Sequence, residues 1–364
     1  MSTSTPVPCS QFPLPAAKAR CRADAAALLE RVWLSRLAFG PRIEAARQVQ
    51  LWSGIFPVSW RQLAHPSQLR QQLATIEARL SGSFAELLAA MVLDPALQIS
   101  LNGLANRRGN PNENLARELL ELFSLGEGQF REGDVKEAAR ALTGYRLADS
   151  GQLLLDPRLH DPGFKTVLGR REAFDGPSLV AWLCQQPATA RHITRRLWRQ
   201  QVGALPAPAR IEAIAAAWQR QGLALPWLRQ TLQQEADSPQ HRGQRLSDPI
   251  LMVARSLALL GSRHPDALRI ARIQLAAMGQ PLLDPPSVKG WPVNEEWLNL
   301  RWLQARRRGL QALLADEEVW AGRQLGAELP ASLTPIPPLT LSLPVPARRD
   351  TLGLLFADPV WQLA

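Results

Sequence analysis

The sequence predicts an all-α fold: an irregular multi-helix globular domain closed by a Pro-rich C-terminal segment. Three observations carry this. Apolar residues recur at helical intervals in run after run. Alternating runs of β-branched residues, the mark of half-buried strands, are nearly absent. Gly and Pro punctuate the runs where the chain has to turn. Hydrophobic residues make up 46% of 364, enough for a sizeable core. The twelve Trp each need a wide apolar bed and a partner for the indole N–H.

In chain order, residues 1–20 read as a flexible lead interrupted by Pro6, Pro8, Pro13 and Pro15. From Arg22 the pattern turns helical. Ala27, Leu28, Val32 and Leu37 fall on one face, and Gly40-Pro41 stops the run. Further helical runs are expected at 43–53, 67–80, 83–93, 113–125, 134–146, 177–186, 189–201, 208–221, 225–236, 248–260, 266–278 and 295–314. Asp94-Pro95, Ser238-Pro239 and Asp358-Pro359 follow helical stretches, and each reads as a cap with Pro opening the next helix. Residues 329–347, LPASLTPIPPLTLSLPVPA, form an extended Pro-rich connector whose Leu and Ile residues lay it against the body. A short terminal helix from about Arg349 to Phe356 docks after it. The expected organisation is a lead at 1–20, a helical domain at 21–315, and the connector with its terminal helix at 316–364.

The stretch NPNENLARELLELFSLG, Asn110–Gly126, holds the most chemical information. On a helical wheel Leu115, Leu119 and Leu122 make a narrow apolar stripe, and Asn114, Glu118 and Glu121 share its flank. Asn112 is placed to cap the helix and Gly126 to end it. Two carboxylates one turn apart can ligate a hard cation, or one can hold the other neutral as a proton donor. The plainer alternative has Arg117 or a neighbouring Arg neutralising them. Next, Asp134 and Glu137 have the spacing of a capping box, which assigns Glu137 a structural role. His160-Asp161 precedes Pro162-Gly163 and so lies in a turn, exposed or lining a cleft. Lys165 stands out because the chain has only four Lys. Later, GQPLLDPPSVKGWP reads as a rigid loop: Pro285-Pro286 extends it, Gly290 allows a tight turn, Trp291 is expected to plug the core, and Lys289 is solvated or meets an anion.

These segments resemble the domain of unknown function 1800 family. The resemblance rests on NENLARELLELFSLG, then GDVKEAARALTGY, then HDPGFKTVLG, and finally GQPLLDPPSVKGWP, supported by LWSGIFPVSW at 51–60. It spans roughly residues 50–310. The chain departs from the family pattern at Leu115, where an aromatic residue is usual, at Tyr145, where Trp is usual, and at Gly54 and Pro57, where polar residues are usual. The resemblance implies a mostly helical fold and assigns no reaction. It raises the weight of polar residues that packing does not require. The candidate site is therefore a pocket in which Glu118, Glu121, His160, Asp161 and Lys165 do the chemistry, with Asn112, Glu113, Asn114 and Arg117 orienting and balancing charge. Glu118, Glu121, His160 and Asp161 would be the ligands if a divalent metal ion is the cofactor. Metal-assisted hydrolysis or proton transfer is the expected chemistry. A non-catalytic helical binding or assembly protein, holding a protein partner, is the alternative.

Net charge is +10, carried almost wholly by Arg. Arg191, Arg195, Arg196 and Arg199 form one basic face with His192, and Arg301, Arg306, Arg307 and Arg308 another. Such faces are expected to be solvated or paired with acidic helices. Weak nucleic-acid binding is a second alternative, without any recognised nucleic-acid motif beside it. No phosphate-cradling Gly loop, GxSxG elbow or HExxH is present. Cys9, Cys21 and Cys184 are odd in number and lack CxxC spacing, which suggests neither a disulfide framework nor a zinc site. With no charged start leading into an apolar stretch, and no run of about 18 apolar residues, a cytoplasmic location is expected.

Overall fold

The computed structural model describes Cys9 and residues 15–148 and 150–364. Among these are sixteen α-helices: α1 (Pro15–Phe39), α2 (Ile43–Ile55), α3 (Ser67–Arg79), α4 (Phe84–Val92), α5 (Pro95–Ser100), α6 (Asn114–Glu121), α7 (Glu132–Ala141), α8 (Gly176–Gln185), α9 (Pro187–Gln201), α10 (Pro208–Arg220), α11 (Leu225–Asp237), α12 (Pro249–Leu260), α13 (Pro265–Ala277), α14 (Leu300–Ala315), α15 (Glu317–Ala321) and α16 (Arg349–Ala357). Six short strands make three antiparallel pairs: β1 (Tyr145–Leu147) with β2 (Leu153–Leu155), β3 (Lys165–Val167) with β4 (Arg170–Glu172), and β5 (Glu328–Leu329) with β6 (Val345–Pro346). The fold is mostly α.

Helix boundaries follow local chemistry. Ser83 opens α4 with its hydroxyl on the Glu86 N–H, while Glu86 returns to the Ser83 N–H, a reciprocal capping box. Asp94 and Asp358 each cap a helix with Pro at its first turn, as expected. Ser238-Pro239 does not: α11 ends at Asp237, and the Ser238 hydroxyl donates back to the Glu235 carbonyl, so it finishes a helix. Consecutive helices pack on one another from α2 to α4, and α9 packs on α10. The long α1 packs against α2 and also against α12 and α13, joining early and late parts of the chain. Trp198, Trp218 and Trp361 are fully buried. Their indole N–H groups donate to the Ala204 carbonyl, the Ala224 carbonyl and the Ser256 hydroxyl. Each buries a large apolar area without stranding a donor.

Several expectations need correction. The lead expected at 1–20 falls partly outside the described residues; its last part, Pro15–Arg20, is already α1. Cys9 and Cys21 form a disulfide, a pairing that odd count and spacing argued against; the first turns of α1 bring the two sulfurs together. The helix expected at 134–146 begins at Glu132 and ends at Ala141, because Gly144 takes a positive φ of 91° and Tyr145 enters a strand. Asp134 therefore lies inside the first turn of α7, not at its cap. Its carboxylate accepts from the Arg131 N–H and from the Leu168 N–H of the β3–β4 turn. The helix expected at 295–314 starts at Leu300, with a separate turn at Asn294–Trp297 before it. Arg306, expected on an outer basic face, is fully buried and donates to the Ser247 carbonyl.

Candidate functional site

The signature helix is shorter than its motif. Asn112 accepts the Asn114 N–H at 3.1 Å, a local turn that sets α6 going from Asn114. Asn114 itself donates to the Leu101 carbonyl, and Asn106 ties the segment to α7 by accepting the Asn112 N–H and donating to the Ala139 carbonyl. Arg117 pairs with Glu113 at 3.2 Å and Glu132 at 2.8 Å. It does not neutralise Glu118 or Glu121 by contact. The binding candidates Asn112, Glu113, Asn114 and Arg117 thus brace α6 against its surroundings.

The His-Asp segment forms a separate braced knot. His160 Nδ1 lies 2.9 Å from the Thr143 carbonyl, and the Thr143 hydroxyl accepts the Asp161 N–H. Asp161 accepts from Arg140 Nε at 2.8 Å, which with the Gly163 N–H holds its carboxyl below the usual range against the opposing effect of burial. Arg140 also grips Glu137, whose carboxylate accepts the Thr166 N–H. Lys165 is only 1% exposed and donates to the carbonyls of Asp161 and Phe174, at 2.5 and 2.6 Å. Burial pushes its ammonium below the usual lysine range. Lys165, with no exposed surface, is a strut joining the turn to the segment after β4.

The expected four-ligand metal set does not assemble. Among the described residues, the one group of three or more carboxylate, His or Cys ligand atoms within 4.8 Å is His264, Asp266 and Glu318. There His264 accepts the Asp266 N–H as a helix cap and Asp266 is paired with Arg269 at 2.7 Å, so hydrogen bonds and charge already occupy the group. Glu118 and Glu121 lie on α6 and His160 and Asp161 in the knot before β3, and α7 packs against both α6 and β3. Asp161 already has its cation in Arg140.

What the segment after the signature helix borders is a cavity of about 710 Å³. Its walls come from three places: Leu122, Leu125 and Gly126 after α6; Arg191, His192, Arg195, Arg196 and Arg199 on α9; and Pro286 through Val293 of the late loop, including Lys289 and Trp291. The junction is specific. His192 Nε2 and Arg196 Nη1 both meet the Leu122 carbonyl, at 3.1 and 2.7 Å, satisfying an oxygen that the end of α6 leaves free. Burial, and then the Arg196 charge, lower His192 to about 4, so the imidazole is neutral at ordinary pH and Nε2 carries the proton it donates. Gly126 must be glycine: its φ is 91°, and a Cβ would sit 2.7 Å from His192 Nδ1. Gly290, with φ 89°, lets the late loop approach α2, where a Cβ would fall 2.6 Å from the Gly54 carbonyl oxygen. Trp291 is half-buried over Gly54 and lines the cavity wall; it is not the expected core plug.

The electrostatics are lopsided. Arg191 is paired with Glu212, and Arg199 with Glu295 and Glu296. Among the described residues Arg195, Arg196 and Lys289 have no ion-pair partner within 4.0 Å, and neither do Glu118 and Glu121. Glu118 is half-buried, and burial first, then the Glu121 charge, raise its carboxyl, opposed by Lys289 and Arg117. Lys289, expected to be solvated or to meet an anion, lines the cavity. The role of α9 as a wall was hidden, because its Arg run reads as a solvated face until Leu122 is placed beneath it.

A family model described as "Protein of unknown function (DUF1800)" matches residues 8–363. No curated protein and no solved structure matches the chain. Among the described residues no helix is long and apolar enough to cross a membrane.

Proposed function

Because the chain belongs to the DUF1800 family, whose description names no activity, we propose its function from the cleft: it binds an anionic ligand between the segment after α6, α9 and the Pro286–Val293 loop, with Glu118 of α6 as the proton-transferring group. One observation carries the reading. Segments far apart in the chain, two of them motif segments, line a single cavity in which cations outnumber their ion-pair partners. Guanidinium and ammonium groups there would hold the ligand's negative charge. A carboxyl whose pKa burial raises is better suited to give or take a proton than an ordinary carboxylate. Proton transfer is therefore favoured over metal-assisted hydrolysis, since none of the expected ligands lines the cleft and Glu118 acts on it through the charge of Lys289. The Cys9–Cys21 disulfide supports an oxidising compartment, not the cytoplasm, as the place where the protein resides.

Sulfate is a suitable probe because its charge is constant from neutral pH down to the carboxylate range. Protonating Glu118 removes a repelling charge, so sulfate should bind more tightly as pH falls through the raised Glu118 pKa. Glu118→Gln should bind tightly throughout and lose that slope, and Lys289→Ala should weaken binding at every pH. Calorimetric titration showing no saturable sulfate binding, or an unchanged pH profile in Glu118→Gln, overturns the reading.

A further inference from the structure

A second and larger cavity, about 820 Å³, adjoins the first across Trp291, Pro292 and Val293. Its walls are α2, the end of α9, α11, the start of α12 and the Trp291–Trp297 stretch. None of the residues expected to do chemistry borders it. We propose that this cavity is a binding site for an anionic sugar, a sugar acid or a sugar phosphate; the inference stands apart from the reading of the Glu118 cleft.

The charge comes first. Arg47, Arg229, Arg245 and Arg255 line the cavity, against Glu44 and Asp248. Among the described residues, the one ion pair within 4.0 Å among these side chains is Arg47–Glu44 at 3.6 Å. Asp248 is spent as the cap of α12, accepting the Leu251 N–H. Arg245 and Arg255 use their guanidiniums on backbone carbonyls of Gln200, Trp361 and Leu363, and neither has an ion-pair partner within 4.0 Å among the described residues; Asp248 and Glu44 act on Arg245 only from farther away. Burial lowers both, Arg255 to about 10, and an anion would reverse that penalty.

The second observation is a set of unspent donors. Arg255 Nε, Trp291 Nε1 and Trp297 Nε1 belong to lining residues, are buried, and have no hydrogen-bond partner. Trp297 is fully buried, and behind it lies fully buried Arg306, whose Nε and Nη2 are unpartnered too. A buried donor left empty costs free energy. Elsewhere this fold gives its buried indoles an acceptor, as at Trp198, Trp218 and Trp361. Empty donors gathered around one cavity ask for an acceptor-rich occupant.

Hydroxyls follow from the rest of the wall. Eight glutamines line it, among them Gln48, Gln201, Gln230 and Gln234. An amide donates and accepts at once, as a hydroxyl does, and a bare inorganic anion would leave the amide N–H and carbonyl groups half used. Gln200 Oε1, also in the wall, is a buried acceptor without a donor, which an anion cannot fill but a hydroxyl can. The half-buried Trp291 offers an apolar surface for a ring's C–H face. The volume falls in the range of small-molecule sites.

The test titrates the whole chain calorimetrically, at matched ionic strength, with D-glucuronate, glucose 6-phosphate, glucose and inorganic phosphate. At least one anionic sugar should bind saturably, more tightly than glucose and more tightly than inorganic phosphate; the tighter of the two tells carboxylate from phosphate. Arg47→Ala and Arg229→Ala change side chains near the surface and should leave the fold intact, as far-UV circular dichroism would show. Each should weaken that binding by about tenfold, the scale of a lost charge-assisted hydrogen bond. Arg195→Ala, in the neighbouring cleft, should leave it unchanged. The proposal fails if neither anionic sugar saturates, if glucose or phosphate binds as tightly, or if the Arg47 and Arg229 variants bind like the parent. It also fails if only Arg195→Ala matters, because the ligand would then occupy the Glu118 cleft.

Discussion

At the scale of single residues, the polar side chains of this chain divide into those whose hydrogen bonds are complete and those whose bonds are not. Lys165 and Asp161 were singled out as chemical groups, yet two of the three Lys165 donors and both Asp161 oxygens are engaged inside the protein. Arg255 and Trp297 passed unnoticed and keep donors in hand. Residue type was legible in the sequence; satisfaction was not, because it depends on which carbonyl tertiary packing delivers. Asp94 shows the same point with a measurable consequence. It is 3% exposed, caps α5 by accepting the Leu97 N–H at 2.9 Å, and burial raises its carboxyl to about 7. The unfolded chain titrates this group near 4, so between roughly pH 4 and pH 7 the folded state holds the extra proton and stability falls as pH rises. Asn caps as well as Asp and cannot ionise. Asp94→Asn should therefore match the parent at low pH and surpass it above neutrality, read as urea midpoints across pH. Parallel curves would show that the cap's N–H donors hold the carboxylate ionised in spite of burial.

Among elements, the helices were readable because period and punctuation agree. The runs at 43–53, 67–80, 177–186 and 225–236 match observed helices to within a few residues, each having one apolar face and a Pro, Gly or capping side chain at an end. The short strands were missed. Lys165–Val167 and Arg170–Glu172 carry charged residues at alternate or successive positions, and a three-residue strand gives no period to detect. The late loop was legible as rigid, but its neighbour was not, and the neighbour decides its effect. Gly290 and Gly109 both have φ near 80–90°. A Cβ at Gly109 would meet open space, whereas one at Gly290 would collide with the backbone of Gly54 on α2. Gly109→Ala should cost about 1 kcal/mol, the penalty of the left-handed conformation alone. Gly290→Ala should cost about 2 kcal/mol or more and should also weaken binding in both cavities, since the loop walls each of them. Chemical denaturation of the two variants side by side measures the difference. Equal losses would mean that the loop and α2 can part freely.

For the molecule as a whole, the mostly helical architecture followed from composition and period, while convergence of distant segments did not. Leu122, His192 and Lys289 come from three parts of the chain, and nothing in their spacing reports that they share a cavity. The closure of the C-terminal stretch was equally hidden. Buried Arg306 and half-buried Arg255 hold the 361–363 segment, contacts that the expected connector and terminal helix do not reveal. Cysteine arithmetic failed in a similar way. An odd count is compatible with one bridge and one inert thiol, and the chain has that arrangement: Cys9 joins Cys21, and Cys184 is buried, its thiol pushed up to about 12 by burial. Cys184 is thus poorly suited to exchange with the bridge, which should persist wherever the surroundings are oxidising. Protein taken from its native cells, denatured without reductant and alkylated, should then carry one label, at Cys184. Three labels should appear only after reduction, matching the three cysteines of the chain. Intact-mass spectrometry distinguishes the two states directly. Three labels before reduction would place the protein in a reducing compartment and return the cytoplasmic reading that the sequence first suggested.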